Sequence, residues 1–189
     1  DANIMLIGEA PGQEEILRGE PFVGSSGQEL RRMLGEAGIN DSNIRMTNLF
    51  LEHPRNNDLG QFCLSKKKAE DAYVEARDHL VSERPDFPWP KKYTWKAIAS
   101  GKYLSPERLL ELPRLADEIA LTSPNILIPV GNTACWAILG QTGITKLRGM
   151  VASSTMPGAS GIKTLPTFHP AAILRNWSNR PTALMDLAK

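Results

Sequence analysis

Four short apolar runs, each bounded by turn residues, punctuate the chain: Ile4-Met5-Leu6-Ile7, Ile44 to Leu51, Ile126-Leu127-Ile128 with Val130, and Ile162 to Phe168. Runs that are apolar throughout, rather than alternating, mark strands buried on both faces, as in parallel sheets. Helical periodicity fills the intervals. Ser26-Gly27-Gln28-Glu29 has the form of a capping box, Leu30, Met33, Leu34 and Ala37 share one stripe, and Gly38 supplies a stop. A second helix is predicted from Asn132 to near Gly140, and a third through Leu115, Ile119 and Ala120, with Pro113 at its first position. Strands alternating with helices predict an α/β fold, a three-layer α/β/α sandwich around a central, mainly four-stranded parallel sheet.

The stretch from about 56 to 106 breaks this rhythm. It carries one amphipathic helix, with Ala69, Tyr73, Ala76 and Leu80 on a face and Pro85 as its stop. A segment dense in Pro, aromatics and Lys follows, from Pro85 to Trp95. The chain is therefore read as a single domain over 1–189 with an insertion at about 56–106. It opens at Asp1-Ala2 rather than Met, which reads as a trimmed start.

Composition narrows the function classes. Of 189 residues, 41% are hydrophobic and 23% charged, enough for a core and too balanced for disorder. No apolar run reaches the roughly 20 residues that span a bilayer. Lys and Arg total 22 against 21 Asp and Glu, so net charge offers no argument for nucleic acid, and basic patches would have to be local. Cys63 and Cys135 are too few for a zinc ribbon or a four-cysteine cluster and suggest a reducing, cytoplasmic setting. His53, His79 and His169 have no metal-ligand spacing, so no metal is expected.

In an open parallel sheet the ligand crevice lies beyond the carboxyl ends of the strands. The first run ends in Gly8-Glu9-Ala10-Pro11-Gly12, the second carries Asn48, the third ends at Gly131 and the fourth at His169-Pro170. A carboxylate, an amide and an imidazole thus share one rim. The Gly8 to Gly12 turn is neither a Walker loop nor a dinucleotide fingerprint; by itself it is a tight strand-to-loop turn or a close-approach loop.

Gly8 to Gly12, followed after eight residues by Pro21-Phe22-Val23-Gly24-Ser25-Ser26-Gly27, resembles the first motif of the uracil-DNA glycosylase superfamily, above all its family 4. Thr167 to Arg175 resembles the second motif, Thr47-Asn48-Leu49 the base-reading strand, and Ile144 to Gly149 a family 4 loop ending in Arg-Gly. The resemblance implies a monofunctional DNA glycosylase, expected to be a monomer, that flips a pyrimidine from DNA and leaves an abasic site; no cofactor is expected, because the chain departs from family 4 at the cluster cysteines. The resemblance also implies that His169 donates to O2 of the departing base, helped by backbone amides near Glu9 and Ala10, and that Phe22 stacks on the base. Glu9 would position or activate water, or balance charge on the sugar. An amide in an apolar strand is costly unless partnered, and Asn48 complements the N3–H and O4 edge of uracil in one orientation and cytosine in the other.

Several readings stay paired. Phe22 is a stacking or a core ring; Ile173 and Leu174 are a wedge entering the base stack or core positions. Arg175 and Arg148 contact phosphate or are solvated. Lys91 and Lys92, beside Trp89, Tyr93 and Trp95, bind DNA or belong to a self-packed flap. Gly12 stands where uracil-strict members of the superfamily carry a bulky Tyr, leaving C5 unwalled. That keeps open a 5-modified pyrimidine, such as hydroxymethylated or glucosylated cytosine in phage DNA, beside uracil, and a non-catalytic DNA-binding module of the same fold. Family 4 members hold an iron–sulfur cluster on four cysteines; Glu52 stands at one such position, so no cluster is expected.

Overall fold

The computed structural model describes residues 3–189; the opening Asp1-Ala2, where a trimmed start was read, lies outside the described residues. Its strands are β1 Ile4–Gly8, β2 Ile44–Asn48, β3 Cys63–Leu64, β4 Tyr103–Leu104, β5 Ile126–Pro129, β6 Ala152–Ser153 and β7 Lys163–Thr164. The helices are α1 Gln13–Arg18, α2 Ser25–Glu36, α3 Lys66–Glu83, α4 Glu111–Thr122, α5 Asn132–Leu139, α6 Ile144–Leu147, α7 Pro170–Arg175 and α8 Arg180–Leu187.

The main sheet runs β2-β1-β5-β7-β6. The first four strands are parallel, in the registers Ile4 to Ile44, Ile4 to Ile126 and Ile126 to Lys163. Strand β6 pairs antiparallel with β7 and closes that edge, an element too short to show in the apolar pattern. Strand β1 explains why the runs lack alternation. Met5 and Ile7 pack on one face with α4, α5 and the 56–106 segment, while Leu6 packs on the other with α2, α7 and α8. All three are fully buried. At about 1.5–3 kcal/mol for each buried aliphatic side chain, this one strand anchors both outer layers.

The helix expectations hold in part. Helix α5 is buried from Thr133 to Leu139 and stops at Gly140 in a left-handed turn, as a helix apolar on all sides should. Helix α3 buries Ala69, Tyr73 and Leu80 and ends one residue short of Pro85. The capping box does not form: the cap is Gly24, two residues before Ser26, and no side chain caps the helix. Glu29 instead lies buried, paired with Arg32 and with Arg180 of α8, so it ties two helices together.

The aromatic segment of the insertion packs on itself and on the sheet layer. Tyr73 meets Tyr93 and Trp95 edge-on at 5.8 and 5.5 Å, and Trp89 meets Phe87 at 4.7 Å. The Tyr73 hydroxyl donates to the Pro90 carbonyl, Trp89 Nε1 to Arg84 and the Tyr93 hydroxyl to Leu104. Trp89 is buried and Tyr93 and Trp95 are half-buried in these ring contacts, which favours the self-packed reading over the stacking one. Among the described residues, no helix is long and apolar enough to cross a membrane.

Candidate active site

The chain leaves β1 toward β2 on one side and returns to β5 on the other, so the strand order reverses between β1 and β5. Loops diverge at such a switch point and open a crevice at the carboxyl ends of the two strands. A cavity of about 570 Å³ lies there, lined by Glu9, Ala10 and Gly12 after β1, Asn48 at the end of β2, Gly131 and Asn132 after β5, and His169 after β7. Phe22, Leu174 and Arg175 complete the set. Eight of the twelve residues singled out from the sequence therefore meet around one hollow: Glu9, Ala10, Gly12, Phe22, Asn48, His169, Leu174 and Arg175.

Asn48 is buried, and only its main-chain carbonyl is engaged, by Arg114. Among the described residues its carboxamide has no hydrogen-bond partner. A buried amide without a protein partner is expensive unless a ligand or water completes it. The Phe22 ring packs beside it, close to the main chain of Gly8. A Cβ at Gly8 would strike both the Asn48 oxygen and the Phe22 ring, and one at Gly27 would run into the Phe22 main chain. Phe22 has φ +56°, a left-handed backbone that costs a bulky residue about 1–3 kcal/mol. Glu15 holds this turn by accepting from Val23 and Gly24 N–H at 3.1 and 2.9 Å. Gly8 thus admits the Phe22 ring and Gly27 its main chain, while Gly12 and Gly24 make room for the Glu15 carboxylate.

His169 caps α7, its Nδ1 accepting from the Ala171 N–H at 3.2 Å. An acceptor nitrogen carries no proton, so in the neutral ring the proton sits on Nε2. Burial, aided by the nearby Arg175 charge, lowers the imidazole from its ordinary value to about 4, and the ring is neutral at physiological pH. Gly131, at φ +88°, comes so close that a Cβ would sit 3.0 Å from that of His169. Glu9 is shifted the other way: burial raises its carboxyl above the usual range, against the opposing effects of Thr133 and Arg175. The Thr133 hydroxyl donates to Glu9 Oε2.

The other four residues lie elsewhere. Ile173 is fully buried between α7, α2 and the sheet, so the wedge reading fails for it while the exposed Leu174 beside it lines the cavity. Arg148 is bound to the buried carboxylate of Asp186, which also accepts from Thr167, and to the Thr182 carbonyl. That pairing ties the Arg-Gly loop to α8 and withdraws Arg148 from the phosphate-binding role. Lys91 and Lys92 are exposed on the insertion and do not line the cavity.

The sequence reading missed Pro54, Asn57, Asn132, Phe168 and Thr133. Asn57, left-handed at φ +55°, reaches the cavity from the start of the insertion, and His53 Nδ1 donates to the Pro11 carbonyl at 2.7 Å, tying that start to the first motif. Adjacent asparagines at 56 and 57 were a visible sign of a left-handed turn. A second cavity of about 570 Å³ shares Glu9, Asn57 and Asn132 with the first.

The donor set does not fit a four-cysteine cluster. Glu52 is ion-paired at 2.6 Å with Arg108, whose guanidinium lies over the Phe62 ring, and Cys135 is buried in α5. Among the described residues, no three His, Cys, Asp or Glu side chains gather as metal ligands.

Comparison with known proteins fits this geometry. A sequence profile of the uracil DNA glycosylase superfamily matches residues 1–188. Three similar proteins are named type-4 uracil-DNA glycosylase. That of Thermotoga maritima is 29% identical over all of this chain and 76% of its own length. The Archaeoglobus fulgidus protein is 30% identical over 92% of this chain and 67% of its own length. The Saccharolobus solfataricus protein is 28% identical over all of this chain and 69% of its own length. With a match across nearly its whole length, and a crevice where that fold places one, the chain belongs to the uracil DNA glycosylase superfamily and with it to the DNA N-glycosylases.

Proposed function

We propose that this protein excises uracil from DNA by hydrolysing the N-glycosidic bond, without lyase action, and leaves an abasic site. The observation that carries this is the set of three polar groups around one hollow: the Asn48 carboxamide and the Nε2–H of His169, both without a partner among the described residues, and the Glu9 carboxylate, held by Thr133 alone. Cleavage gives the sugar oxocarbenium character and the leaving base a negative charge, so the site needs a donor for the base and a polar group for water or cation. A neutral imidazole with its proton on Nε2 is a donor already aimed, with no protonation step required. Glu9 faces the sugar side, where an anion orients water and offsets positive charge. Asn48 accepts from N3–H and donates to O4 of uracil, and the Phe22 ring stacks on its face. Leu174 and Arg175, exposed at the cavity mouth, face the DNA from which the nucleotide is turned out.

Incubation with oligonucleotides carrying uracil, a thymine mismatch, or hydroxymethylated or glucosylated cytosine, followed by alkali, tests the reading. Strand breaks at uracil alone are expected. Breaks at a 5-modified cytosine instead would assign that base through the open side at Gly12, and intact strands throughout would favour a binding module.

A further inference from the structure

Glu9 stands in the wall between the two cavities, and its carboxylate has one hydrogen-bond donor among the described residues, the hydroxyl of Thr133. Thr133 is buried, in the first turn of α5, and lines the second cavity on the far side of Glu9. Every later residue of that helix up to Leu139 is buried, and the Thr133 hydroxyl finds its partner in Glu9, just past the carboxyl end of the interior strand β1. We propose that Thr133 is a positioning residue that fixes the Glu9 carboxylate, as an acceptor-only anion, between the two cavities. The inference rests on the reading of Glu9 in the proposed function.

A carboxylate in this wall has two problems that one hydroxyl solves. With cavity space on both sides, the half-buried side chain is only partly fixed by packing, and a donor attached to a helix selects its rotamer. Burial favours the neutral acid, which cannot accept water's proton; a donor to Oε2 favours the anion. The other charged and titratable groups facing Glu9 are His169 and Arg175 from α7, Glu15 from α1, and Asp58, Cys63 and Lys102 across the second cavity. His169 is neutral, Lys102 is paired with Asp58, and Arg175 acts in the same direction as Thr133.

The test is the pH dependence of single-turnover uracil excision by Thr133→Val and Thr133→Ser, with Glu9→Gln alongside. Thr133→Val is expected to excise about tenfold more slowly than the parent at the acid end and within about twofold at the alkaline end, since losing the donor raises the carboxyl further and depletes the anion most where protons are abundant. Thr133→Ser keeps the donor and should follow the parent throughout. A Thr133→Val profile parallel to the parent's, or a displaced profile in Thr133→Ser, overturns the proposal. If Glu9→Gln excises at the parent rate, the reading of Glu9 itself falls; if it is slow while the Thr133→Val profile is undisplaced, this inference alone falls. Should the valine variant not fold, Thr133→Ala removes the same donor without added bulk, and the same displaced profile is expected.

Discussion

The rim of the main cavity and the 56–106 insertion treat their polar atoms in opposite ways. In the insertion the aromatic heteroatoms reach backbone carbonyls, Tyr73 to Pro90, Trp89 to Arg84 and Tyr93 to Leu104, and the Arg77 guanidinium shares the Pro90 carbonyl. At the rim the Asn48 carboxamide and His169 Nε2 are left open to the hollow, though both side chains are largely covered. Satisfied groups stabilise a fold and unsatisfied ones cost it free energy, so the rim persists because its surroundings enforce it. The left-handed Phe22, the glycines against it and the Arg114 guanidinium on the Asn48 and Leu49 carbonyls are the enforcing contacts. The insertion's chemistry is complete; the rim's is finished only by a ligand.

Substitutions in the two regions should therefore separate rate from stability. The largest rate effect is expected for His169→Ala: removing a donor aimed at a developing anion costs about 10²–10³-fold in excision, read in single-turnover assays, with Tm little changed. Because burial holds that imidazole at about 4, the parent's rate should show no loss from protonating His169 above about pH 5.5. Trp89→Ala should do the reverse. Losing a buried indole costs about 3–5 kcal/mol, or roughly 10 °C in Tm for a chain this size, while the folded fraction excises at near the parent rate. A hundredfold loss in the folded Trp89 variant would break the contrast. The smallest effect is expected for Lys91→Ala with Lys92→Ala, within about twofold at moderate salt, because exposed lysines away from the cavity add only screened attraction.

The contrast also explains what could be read from the sequence. Strand ends were legible because apolar runs are local, and the polar residues ending the first and fourth runs, Glu9 and His169, sit where an open sheet keeps its crevice. Asn48 was legible as an amide inside an apolar run, and the fold ends β2 there, three residues before the run does. Contacts made across the fold were not. Glu29 has the spacing of a cap, yet its partner is Arg180, 151 residues away. Thr133 looks like filler in an apolar helix until Glu9, 124 residues distant, is placed beside it. Ile173 and Leu174 are equivalent as letters, and packing of α7 alone turns one inward and the other to the cavity. Strand β6 is two residues long and carries no pattern of its own.

Asn48 offers the sharpest test, because its carboxamide opens into the hollow with no hydrogen-bond partner among the described residues. Single-turnover uracil excision by Asn48→Ala, measured where variant and parent are equally folded, should fall by more than about a hundredfold, with Tm unchanged or raised, since an unpartnered buried amide has been removed. Excision within about threefold of the parent, or a large drop in Tm, would mean that Asn48 serves the fold and that the rim is not built to read a base.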